Sequence, residues 1–231
     1  MSAVIFDLDD TLYDQLEPFK RAVQKDLLFP EAQIEDLYLF SRRFSDEVFH
    51  LTHTGKMKVE DMHIYRMQNA CAQFGMNLTL EQALRFQEDY AYFQGQIELF
   101  EDAKETLSYC QQYNIPVGLI TNGPTDHQWA KVQQLGLANW IAEENIFISS
   151  AIGFSKPDIK LFEYAEQAMG LDKRDTYYIG DSYENDINGA KNAGWKAIWR
   201  NHRGRKKPQS KFLFDQVIEP NHTLSEIISV L

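Results

Sequence analysis

The chain has 231 residues, 44% of them hydrophobic and 25% charged, which suits one full core plus a smaller second unit and excludes a disordered or fibrous chain. Its formal net charge of -11 leaves no general basic face for nucleic acid or an anionic membrane, so a phosphate-bearing ligand would need local cations or a metal. Two cysteines, Cys71 and Cys110, the lack of any apolar window of about 18 residues and a start without a leader pattern lead us to expect a cytoplasmic protein.

The first apolar run, residues 3–6, reads as a buried strand that empties into FDLDDTLYD, four aspartates in nine residues. From 15 to 97 no strand pattern occurs, and helical spacing covers 15–28, 31–50, 58–74 and 79–97. In the third of these Ile64, Met67, Cys71 and Phe74 recur at three- and four-residue intervals, and Gly75 supplies a stop. Short β-rich runs follow at 116–120, 146–148, 177–179 and 196–199, alternating with helical patterns, as in an α/β fold with a parallel sheet. The expected organisation is an α/β core domain of 1–14 and 98–231 with a helical domain of 15–97 inserted after the first strand. The basic run RNHRGRKK at 200–207 is expected to be a solvated loop.

In an open parallel sheet, ligands bind beyond the carboxyl ends of the strands, so the residues after each run carry the chemistry. Asp7 and Asp9 stand where the first strand ends, and clustered carboxylates repel unless a cation or a shared proton compensates. Asp10 and Asp14 suit the turn itself. After the second strand come Thr121, Asn122 and Gly123, with Thr125 and Gln128 in the T-x-x-Q pattern of a capping box. A hydroxyl and amides beside a helix start can hold a phosphate, which makes Thr121 a candidate contact. Lys156 precedes Pro157, expected in the first turn of a helix burying Leu161, Phe162, Ala165 and Met169, and supplies a cation at the same rim. Asp181 ends the fourth strand and Asp186 opens the next helix. With Asp7 and Asp9 these make an oxygen-rich group of the kind Mg²⁺ prefers.

In order, DLDDT, TNG, SKPD and GDSYEND resemble the four motifs of the haloacid dehalogenase-like hydrolase superfamily, and the resemblance covers essentially the whole chain. It implies a Rossmann-like core with helices on both faces and a helical bundle cap. It also implies a Mg²⁺-dependent phosphatase in which Asp7 is the nucleophile, giving an aspartyl-phosphate, and Asp9 the general acid and base. Thr121, Asn122 and Lys156 would bind phosphate, Lys156 also partnering Asp7. The metal would be held by Asp7, the Asp9 carbonyl, Asp181 and Asp186. The superfamily's dehalogenases lack the second aspartate, so Asp9 favours phosphoryl transfer to water.

The substrate implied is a small phosphomonoester, with a 5'-nucleotide or sugar phosphate as the specific alternatives. A phosphomutase, a 2-haloacid dehalogenase and a catalytically silent binding module are weaker ones. The expected assembly is a monomer or homodimer without nucleic acid or membrane. Tyr13, Phe19, Arg42, Arg43 and the segment 49–58 are expected to face the substrate cleft, and His50 with His53 reads as a solvated face rather than a metal pair.

Overall fold

The computed structural model describes residues 2–226, without the side chains of Phe49 and His53. The chain forms two compact units, one of Met1–Asp14 with Glu98–Leu231, the other of Gln15–Ile97.

The larger unit begins with β1 (Ala3–Phe6), every residue of which is buried. The smaller unit follows: α1 (Leu16–Asp26), α2 (Ile34–His53), α3 (Val59–Ala72) and α4 (Leu80–Gln94). Met67 and Cys71 are fully buried there, with Ile64 and Phe74 packed alongside, as the helical spacing requires. Gly75 follows α3 at φ 72, a left-handed conformation that costs glycine little. Phe19 does not face a cleft. It lies at the centre of this unit's core with Tyr38, Phe86 and Tyr90 all within 5.6 Å, because an amphipathic α1 must bury its one apolar stripe. Arg42 and Arg43 lie exposed on α2, and of the two histidines the side chain of His53 lies outside the described residues.

The larger unit resumes with α5 (Glu101–Gln112), β2 (Val117–Thr121), α6 (Thr125–Gln134), β3 (Ile146–Ile148), the single turn α7 (Ser149–Ile152), α8 (Ile159–Met169) and β4 (Thr176–Gly180). A wide π turn, Tyr183–Asn188, runs into α9 (Gly189–Ala193), followed by β5 (Lys196–Arg200) and β6 (Gln216–Ile218). The strands form one parallel sheet in the order β3-β2-β1-β4-β5-β6, a Rossmann-like α/β core. β6 is a strand that the sequence patterns did not indicate. Only two of its three residues, QVI, are apolar, and Asp215 and Glu219 flank it, so no apolar run stands out as it does in the equally short β3.

Strand order reverses at β1, which lies between β2 and β4, and this is the switch point where such sheets open a crevice. Asp7 stands one residue past β1, its N–H still bonded to the Ile179 carbonyl of β4 at 2.8 Å. Thr121 and Gly180 end the two neighbouring strands. All the motif residues are therefore delivered to one edge of the sheet.

Candidate active site

Buried charge governs the centre of this site. The Lys156 ammonium lies 2.5 Å from Asp7 Oδ1 and 2.7 Å from Asp186 Oδ1, and all three residues are buried. Thr11 donates to the other Asp7 oxygen at 3.1 Å, so its hydroxyl closes the turn after β1. Burial pushes the Asp7 carboxyl up to about 7, Lys156 pulling the other way and Asp186 and Asp9 adding to the rise. Burial lifts Asp181 well above the carboxylate range too, reinforced by Asp186 and Asp7. One oxygen from each of Asp7, Asp181 and Asp186 lies within 4.8 Å of the others. Three carboxylates this close, two of them reluctant to ionise, form an oxygen set that a hard divalent cation would relieve.

Backbone geometry brings Asp186 inward. Ser182 caps the π turn, its N–H donating to Asp186 Oδ2 at 2.8 Å, so this carboxylate reaches back to the start of the turn and also into the site. A Cβ on Gly180 would lie 2.4 Å from that carboxyl group, which is why glycine ends β4. The Asp181 backbone carbonyl is anchored by Trp199 Nε1 at 2.8 Å, and one of its carboxylate oxygens receives Arg205 at 3.0 Å.

Asp9 occupies the opposite electrostatic environment. Its Oδ1 receives Lys131 at 2.6 Å and the Tyr13 hydroxyl, and its Oδ2 receives Gln128 Nε2 at 3.1 Å. Burial would raise its pKa, but Lys131 and these donors outweigh that and hold it at about 2. Gln128 also donates to the Thr121 hydroxyl. The expected capping box does not form: Thr125 is already helical, Pro124 is the cap, and Thr125 bonds Ser150 instead. Water can cap an exposed helix start, whereas a buried carboxylate needs fixed donors, so Gln128 serves Asp9. Lys131 was not singled out from the sequence. Its spacing of three from Gln128 on α6 places both on one helix face, and that was the available signal.

The Asn122 side chain is spent on the Lys156 backbone, donating to its carbonyl at 3.0 Å and accepting from its N–H at 2.9 Å. It thus fixes the lysine's loop. Pro157 stands before α8 rather than in its first turn, because Asp158 caps the helix by accepting the Lys160 N–H at 3.0 Å. The basic run after β5 is not a solvated loop throughout. Arg200 and Asn201 are buried, Arg203 forks onto Asp10 at 2.6 and 2.8 Å and reaches Asp14, and within the run only 204–207 are exposed, Arg205 while bonded to Asp181. The acid-rich turn after β1 needs cations, and this loop lies nearest. Asp10 itself holds φ 59, the left-handed conformation that a shaping role in the turn requires.

The sequence model of the haloacid dehalogenase-like hydrolases matches residues 1–194. The chain is 31% identical over 204 residues to a glyceraldehyde 3-phosphate phosphatase of Methanothermobacter thermautotrophicus, covering 86% of this chain and 84% of that one. It is 34% identical over 115 residues to the pyrimidine 5'-nucleotidase YjjG of Escherichia coli, 49% of this chain and 47% of the relative. Among solved structures, the magnesium-bound HAD-hydrolase YfnB of Bacillus subtilis superposes with a TM-score of 0.73 at 22% identity, over 100% of this chain and 98% of that one, a likeness of fold.

Proposed function

The chain belongs to the haloacid dehalogenase-like hydrolases, and on that premise we propose that it is a phosphoric monoester hydrolase that works with Mg²⁺ through an aspartyl-phosphate on Asp7. The observation that carries this reading is the contrast between two carboxylates two residues apart. Asp7 is braced by Lys156 and Thr11 beside Asp181 and Asp186, while Asp9 is turned to Lys131, Gln128 and Tyr13. A divalent cation on Asp7, Asp181 and Asp186 would keep the Asp7 carboxylate ionised for attack, and Asp9, outside that trio, is left for proton transfer.

An Asp7 oxygen attacks phosphorus and the bond to the ester oxygen breaks. Asp9 gives that oxygen a proton, then takes one from the water that displaces Asp7. Asp9 is ionised in the arrangement described here, the form that serves the second step. Thr121 and Lys156 hold the phosphoryl oxygens, and Asn122 acts by fixing the loop of Lys156. Mg²⁺ would be held by Asp7, the Asp9 carbonyl and Asp181 with Asp186 adjacent, and would supply the charge neutralisation that lets one anion approach another. The inserted helices of 15–97 are the cap that sets the choice of substrate.

The relative matched along most of its length makes a small phosphorylated metabolite such as glyceraldehyde 3-phosphate the first choice of substrate, and a pyrimidine 5'-nucleotide the second. The test is hydrolysis of p-nitrophenyl phosphate followed by a panel of these esters. Turnover should vanish in EDTA and return with added Mg²⁺. Undiminished turnover in EDTA would contradict the metal's role, and no turnover of any ester would contradict the activity.

A further inference from the structure

The Lys156 ammonium has three N–H donors, and only two of them reach carboxylates. The third meets the hydroxyl of Tyr178 at 2.9 Å. Tyr178 lies on β4, paired in register with Ile5 of β1, and alternation along β1 puts Ile5 and Asp7 on one face. The phenol therefore stands directly below the nucleophile. Its ring is fixed by Phe162 at 5.3 Å and Trp195 at 6.4 Å, and its hydroxyl proton is shared between the Ile120 carbonyl at 3.1 Å and Asp186 Oδ1 at 3.2 Å. Ile120 immediately precedes Thr121, so one hydroxyl joins the middle of β4 and the end of β2 to the ammonium.

A fully buried tyrosine in the middle of a strand is ordinarily packing, and its hydroxyl could have been satisfied by a carbonyl alone. Here it takes the one Lys156 donor that the two anions leave, which stops the ammonium sliding from Asp7 toward Asp186. We infer that Tyr178 is a positioning residue for Lys156, holding its ammonium against Asp7 so that nucleophile and incoming phosphoryl group stay in register. The inference rests on the reading of Lys156 as the partner of Asp7 in phosphoryl transfer.

Tyr178→Phe keeps the ring and removes only the hydroxyl. For p-nitrophenyl phosphate its kcat should fall roughly ten- to hundredfold, the scale on which small displacements act, with KM changed less than about twofold. Phe147→Leu, which trims the same core from β3, three strands away from Tyr178, should keep the parental kcat. Parental kcat in Tyr178→Phe would overturn the inference, as would an equal loss in Phe147→Leu, which would mark a merely structural effect. A second measurement is independent of turnover: urea unfolding of the parent, Tyr178→Phe, Lys156→Met and the double variant. If the two residues act as a unit, the double variant's unfolding constant departs at least about fivefold from the product of the single effects. Additive effects would overturn the inference. A parent inactive on every ester would fault the phosphatase reading alone, and this cycle would still decide the role of Tyr178.

Discussion

Asp9 and its donors show how residue type and residue role part company. From the sequence, four aspartates after one strand could be divided into two for chemistry and two for the turn, and the structure places Asp10 and Asp14 on Arg203 while Asp7 and Asp9 take separate environments. The partners of Asp9 were less legible. Gln128 fitted a local capping pattern, and local patterns cannot report a carboxylate 119 positions away. Lys131 carried no motif at all, and Tyr178 was hidden inside an apolar strand run. Lys131 is buried, so Lys131→Met would leave the Asp9 carboxylate with only Gln128 and Tyr13. Under the role proposed for Asp9, its kcat for p-nitrophenyl phosphate should drop roughly ten- to hundredfold, the scale of a small misplacement, and Lys131→Arg should recover part of it. Steady-state kinetics of the two variants checks this, and parental kcat in Lys131→Met would remove the lysine from the account.

Elements read well where periodicity was long and poorly where tertiary electrostatics decided. All four helices of 15–97 and the first five strands announce themselves by spacing, whereas β6 and the loop before it do not. Charge alone says nothing of where the matching acids lie, so from the sequence the basic run between β5 and β6 reads as solvated. Arg200, at the end of β5, instead forks onto Asp102 in the first turn of α5 at 2.9 and 3.0 Å, and Leu224 adds its N–H at 2.7 Å. Burial would raise the Asp102 pKa, but these bonds outweigh it and hold the carboxyl below its usual range. A carboxyl depressed in the folded state gives stability that is fully present above its unfolded pKa and lost as pH falls through the folded one. Asp102→Asn should therefore cost about 3 kcal/mol near pH 7, the scale of a broken partly buried pair, and flatten the stability profile below about pH 4. Urea unfolding across that range is the measurement, and a profile unchanged in shape would contradict the staple between α5 and β5.

At the scale of the whole molecule, one parallel sheet gathers residues separated by up to 179 positions, from Asp7 to Asp186, at the ends of adjacent strands. This is why a sequence with a net charge of -11 can still assemble a site for a phosphate: the cations are few, but Lys131 and Lys156 are both delivered to one edge. That much was legible because each motif follows its own strand. Substrate choice was not, since no motif of the sequence marks the residues that would set it. The proposed phosphoryl transfer rests on Asp7 as nucleophile. Acid-quenched mass spectrometry of the enzyme mixed with p-nitrophenyl phosphate and Mg²⁺ tests it directly. One phosphoryl group should be found on Asp7 in the parent, with neither adduct nor turnover in Asp7→Asn. Turnover that survives in Asp7→Asn, with no phosphorylated aspartate in the parent, would contradict it.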